Sequence, residues 1–156
     1  MCKRGFTLIE MVVVVAIVGV LAAGAAPLAS LVHKRSQERE LRQALRDIRS
    51  AIDRHHKAAE EGRIARAADA SGYPPSLEAL TEGVPDLLAL TPRKLHFLRR
   101  LPRDPFFPDP GAPAAATWGL RSYASAPDNP QPGQDVFDVH SLAPGVGLNG
   151  IPYRDW

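Results

Sequence analysis

Five histidines (His33, His55, His56, His96 and His140), a single cysteine and 17 carboxylates are the side chains that could ligate a metal or carry a reaction. Their spacing suits neither. His55 and His56 are adjacent and on a helix would face different sides, so they do not share a zinc ion. No Ser-His-Asp set, paired catalytic carboxylates or phosphate-cradling loop stands in a recognisable context, and Gly145, Val146 and Gly147 alone are too weak a signal. Cys2 is the only cysteine, which excludes an internal disulfide. The acid with unusual surroundings is Glu10. It closes the stretch GFTLIE at 5–10 and stands at the edge of 22 uncharged residues, 11–32. The chemistry open to such a carboxylate is ion pairing in apolar surroundings, so an enzyme is not expected and no cofactor is required.

The elements that must position Glu10 can be read from periodicity. As a helix at about 1.5 Å per residue, residues 11–32 reach roughly 33 Å, against about 30 Å for a hydrocarbon core. Residues 33–61 are polar with a helical rhythm: Leu41, Leu45, Ile48 and Ile52 lie 4, 3 and 4 apart, with Ala44 and Ala51 beside them. No Gly or Pro separates the two segments. The pattern therefore predicts one helix from about Phe6 to about Glu61, bent or locally melted at Pro27 and ended near Gly62.

Fourteen of the 15 prolines fall between Pro74 and Pro152, which excludes long helices there. A short capped helical turn is predicted at 76–80, a second at 91–101 with Thr91 as cap, strands at 117–125 and 136–141, and a third strand near 151–153. The fold class is α+β: a long amino-terminal helix packed against a small antiparallel sheet of two or three strands.

Charge is near balance, 19 Lys and Arg against 17 Asp and Glu. Lys34, Arg35, Arg39, Arg42, Arg46, Arg49 and Arg54 cluster, but Glu38, Glu40, Asp47 and Asp53 are threaded among them without aromatics for base stacking. The cluster reads as a solvated helix face, with i,i+4 pairs Glu38–Arg42 and Arg49–Asp53, and nucleic acid is not an expected partner.

A short basic leader ending in Gly5, then Phe6, Glu10 and an unbroken apolar run, resembles the leader of type IV pilins and type II secretion pseudopilins; Pro27 falls where that family commonly bends its helix. YPPSLEAL, LPRDPF and DVFDVHS further on are similar to the major pseudopilin of type II secretion. The resemblance implies a leader at 1–5, a membrane-spanning and assembly helix at 6–32, an amphipathic continuation at 33–61 and a periplasmic domain at 62–156. It implies cleavage between Gly5 and Phe6 by a prepilin peptidase, N-methylation of Phe6, and polymerisation in which Glu10, Phe6 and Pro27 serve assembly. Loss of the leader removes two of the 19 basic residues and leaves 17 against 17 acidic. The implied location is the inner membrane, single-pass, then a periplasmic filament; the implied partners are copies of itself, minor pseudopilins, the assembly platform, the peptidase and the membrane. Charge alone argues for the opposite orientation, since Lys3 and Arg4 face the larger basic cluster beyond residue 32.

Major pseudopilins commonly hold calcium in a loop rich in Asp and Gly. The corresponding LAPGVGLNGIPYRDW contains one acid, Asp155; with Asn149, and with Asp128, Asp135 and Asp138 from upstream, it supplies the calcium candidates. Competing readings are a type IV pilus or competence pilin, a secreted or periplasmic binding protein cut after the small residues at 23–25, and an anchored enzyme domain. Glu10 at the start of the apolar run opposes the second, and the lack of a catalytic set opposes the third.

Overall fold

The computed structural model describes residues 7–156, with the side chains of 22–28 outside that description. Two compact units divide at Gln37 and Glu38. Helix α1, Leu8–Glu60, contributes to both. The helical assignment of α1 includes position 27, where a bend or a locally melted turn is expected.

The carboxyl end of α1 is terminated by local chemistry. Gly62 takes a φ of 69°, its N–H donates to the Ala59 carbonyl at 3.1 Å, and the Arg63 N–H donates to the Ala58 carbonyl at 2.9 Å. That pair of bonds is the Schellman arrangement, in which a left-handed residue satisfies carbonyls left open by the last turn.

In the unit Glu38–Trp156 the stripe on α1 is the floor of the core. Leu41, Leu45, Ile48 and Ile52 are at most 2% exposed and pack with Leu77, Leu80, Trp118, Val136, Val139 and Tyr153. Each such side chain contributes about 2 kcal/mol of transfer free energy. A smaller cluster of Ala58, Ala59 and Ile64 lies further along, against Val84, Leu95 and Phe97.

Helix α2, Ala79–Glu82, starts later than the helical turn predicted at 76–80 and has no side-chain cap. The helix predicted from Thr91 does not form. Instead β1, Val84–Pro85, pairs antiparallel with β2, Lys94–Leu95. Tertiary interactions override the capping signal: Asp86 sits between the Arg63 and Arg93 guanidiniums at 2.9 and 2.8 Å, and the Leu80 carbonyl accepts from the N–H groups of Phe97 and Leu98. Extended chain lets Leu95 and Phe97 reach the smaller cluster.

Strands β3, Trp118–Arg121, and β4, Asp138–Ser141, form a second antiparallel pair in the register Trp118↔Ser141 to Arg121↔Asp138. Both are shorter than the predicted strands: β3 ends where the Ser122 N–H donates to the Gln131 carbonyl and a turn opens, and ahead of β4 the Val136 N–H donates to the Pro74 carbonyl. At 151–153 there is only an isolated bridge, Val146↔Pro152, followed by the 3-10 turn Tyr153–Asp155. The α+β class with small antiparallel pairs stands; the sheet is two separate two-stranded pairs.

Candidate functional site

Glu10 lies in the first turn of α1, and its N–H donates to the Thr7 hydroxyl at 3.3 Å while the Met11 N–H donates to the Thr7 carbonyl, also at 3.3 Å. Thr7 is thus the amino-terminal cap and Glu10 the third helical position, the spacing of a capping box. The sequence TLIE carries that local signal. Glu10 also faces the positive end of the helix dipole, which lowers the cost of a carboxylate at the head of an apolar segment.

On both sides of Glu10, the described apolar residues of this half are exposed: Leu8 83%, Val12 58%, Val15 66%, Val20 74%. A helix apolar on every side is stable when a membrane or other helices cover it. Among the described residues no helix is long and apolar enough to cross a membrane, and the apolar run 11–32 includes the undescribed side chains of 22–28. Gly5 and Phe6 lie outside the described residues, as does the side chain of Pro27.

Residues 1–26 match the family model of the prokaryotic N-terminal methylation motif. Over these 26 residues the match supports a type IV pilin-like prepilin leader, the kind of segment that a prepilin peptidase processes. Such a motif implies a membrane-anchored amino terminus before assembly. No curated protein and no solved structure matches the chain.

Away from the leader, the LPRDPF segment at 101–106 is tied into the core by its aspartate. Asp104 is 2% exposed; its N–H donates to the Thr117 hydroxyl at 3.1 Å, and its carboxylate accepts from the Phe106 N–H at 2.8 Å and from the Ser141 hydroxyl. The Trp118 indole N–H donates to the Pro102 carbonyl at 2.9 Å, which makes Trp118 a core residue with a satisfied polar end. The motif therefore builds a fixed corner beside β3 and β4.

A polar cleft of about 620 Å³ is bordered by Arg49, Arg121, Asp128, Asp138, His140, Arg154 and Asp155. It gathers three of the calcium candidates, but three guanidiniums stand among them. Arg49 Nε donates to Asp138 at 2.8 Å and its Nη2 to the main-chain oxygens of Val139 at 3.0 Å and Trp156 at 2.8 Å. Asp155 lies 3.4 Å from Arg154. The other two candidates lie elsewhere: Asp135 accepts from the Ser71 hydroxyl and the Tyr123 N–H, and Asn149 from the Ile151 N–H. Among the described residues no group of three or more Cys, His, Asp or Glu is placed to hold a metal. Calcium needs six to eight oxygens, several anionic, and this donor set does not fit it.

The expected solvated face of α1 also needs correction. Glu38 is 4% exposed, and Oε1 accepts from the Leu148 N–H at 2.7 Å and the Tyr153 hydroxyl at 3.3 Å. Arg42 comes within 3.9 Å of Glu38 Oε2, as its spacing predicts, and lies over the Trp156 ring at 4.3 Å. Arg49 turns to Asp138, away from the Asp53 pairing expected from spacing.

Two histidines in this unit sit below their ordinary pKa. Burial is the larger cause for both; at His55 the hydrogen bond to the Gly72 carbonyl opposes it, and at His140 the Asp138 carboxylate opposes it.

Proposed function

We propose that this chain is a structural subunit of a type II secretion pseudopilus, a substrate of processing and assembly with no catalytic role. The observation that carries the reading is the methylation-motif match over residues 1–26, heading a helix whose first half exposes apolar side chains on every side. Cleavage between Gly5 and Phe6 gives a new amine, which the prepilin peptidase methylates. The subunit waits in the inner membrane, with its folded domain in the periplasm, until the assembly platform extracts it.

Glu10 then enters a bundle of neighbouring helices. A carboxylate in apolar surroundings costs several kcal/mol or more unless paired, and the charged amine of Phe6 on an adjacent subunit is the available cation. Any register that leaves one member unpaired is penalised, so the pair fixes axial stagger even where its net stabilisation is small. The cap that the Thr7 hydroxyl places on the Glu10 N–H prepares the geometry by keeping this turn helical.

YPPSLEAL, LPRDPF and DVFDVHS favour the secretion branch over a type IV or competence pilus. Deletion of the coding sequence in its native host tests this. The expected result is loss of folded exoproteins from the medium, restored by the wild-type chain. Intact secretion with loss of surface pili or DNA uptake would place the chain in the pilus branch; intact secretion, pili and uptake would overturn the filament reading.

A further inference from the structure

At 100° per residue, Glu38, Arg42 and Arg49 fall within about 40° of one another around α1, along one edge of the buried stripe. All three reach the same segment, residues 138–156. Glu38 binds the Leu148 N–H and the Tyr153 hydroxyl, Arg42 covers the Trp156 ring, and Arg49 binds Asp138 and the main-chain oxygens of Val139 and Trp156. Gly147 is part of the fit, since a Cβ there would meet the Trp156 ring at 2.3 Å.

The three acceptors of Arg49 are the Asp138 carboxylate and the main-chain oxygens of Val139 and Trp156, hard oxygens of the kind that a calcium ion would otherwise draw together. A guanidinium satisfies them with directed donors, and its planar fork spans several oxygens where an ammonium presents one point of charge. Arg121 stands 3.8 Å from the second Asp138 oxygen, and Arg154 faces Asp155. With Asp128, three side-chain carboxylates and three guanidiniums border the cleft, so these side-chain charges balance one another. A divalent cation entering it would meet guanidinium charge beside every carboxylate that Arg49, Arg121 and Arg154 already pair.

We propose that Arg49 is the built-in cation of this loop: with Glu38 gripping the loop amide, it fastens residues 138–156 to α1 and makes the domain independent of calcium. The inference rests on the geometry of the unit Glu38–Trp156 and not on the filament reading.

The test uses the full chain in detergent, with melting followed by tryptophan fluorescence and hydrogen exchange followed at 145–156. Millimolar CaCl2 or EDTA is expected to move the wild-type midpoint by less than about 1 °C. Arg49→Met is expected to lower it by several degrees and to speed exchange in 145–156, while Glu38→Gln, which keeps the accepting oxygen, stays near wild type. Should Arg49→Met not fold, Arg49→Lys retains the charge without the fork, and its exchange in 145–156 is expected to exceed wild type. A wild-type midpoint that falls in EDTA and returns with CaCl2 would overturn the proposal. So would wild-type exchange at 145–156 in Arg49→Met, or in Arg49→Lys if the first variant cannot be obtained.

Discussion

Leu8, Val12, Val15 and Val20 in the first half of α1 are 58–83% exposed, whereas Leu41, Leu45, Ile48 and Ile52 in its second half are at most 2% exposed. Both sets belong to one continuous helix, so backbone structure does not separate them. Patterning does. The second half places its apolar residues on a narrow stripe, which its own domain can cover; the first half is apolar all round, which a small domain cannot cover. The same helix thus serves an intramolecular core at one end and carries exposed apolar side chains at the other.

The largest expected effect falls on the first half. Glu10→Gln is expected to be cleaved and inserted normally yet to yield no filaments when surface or periplasmic polymers are sheared and counted; full assembly of that variant would remove the assembly role. Thr7→Ala sharpens the point, because it removes the cap at a cost of about 1 kcal/mol while leaving the carboxylate. It is expected to assemble, at reduced yield.

A second contrast concerns stability. Leu41→Ala or Ile48→Ala deletes fully buried methyl groups and is expected to cost about 2–5 kcal/mol, read as a lower denaturation midpoint of the full chain in detergent. Val13→Ala, at an exposed position in the other half, is expected to leave that midpoint unchanged. Equal losses from both halves would break the comparison.

Smaller effects follow from titration. Arg63, with Arg93, holds the Asp86 carboxyl down from 3.8 to about 2, against the opposing effect of burial. A lowered carboxylate stabilises the fold above the unfolded value and loses that contribution as pH falls through the folded one. Melting followed from pH 5 to pH 2 is therefore expected to decline across the interval from about 4 to about 2, and less steeply in Asp86→Asn. The smallest effect belongs to His55 and His140, both lowered from 6.5. Below that value the unfolded chain takes up protons that the folded chain resists, so stability falls as pH drops through 6.5. His55→Gln is expected to flatten that slope.

The helix, its end at Gly62 and its buried stripe were legible because periodicity and a left-handed glycine are local signals. Strands β3 and β4 were legible in place but not in length, since the turn at Ser122 is fixed by Gln131, nine residues on. The hairpin of β1 and β2 was hidden behind a valid capping signal at Thr91 and Pro92, because the arginine pair on Asp86 that overrides it is assembled only by the fold. For the same reason Arg49 read as one of many surface arginines: its acceptors lie 89 to 107 residues away in sequence. The cap from Thr7 onto the Glu10 N–H is fully local and is legible in TLIE.

The central claim is that the apolar half of α1 is delivered by prepilin processing for helix-to-helix assembly. Its most direct test is the intact mass and amino-terminal residue of the protein extracted from membranes of its native host. A chain beginning at Phe6 and carrying one added methyl group is the expected result. A chain beginning near Pro27, or one still beginning at Met1, would contradict it.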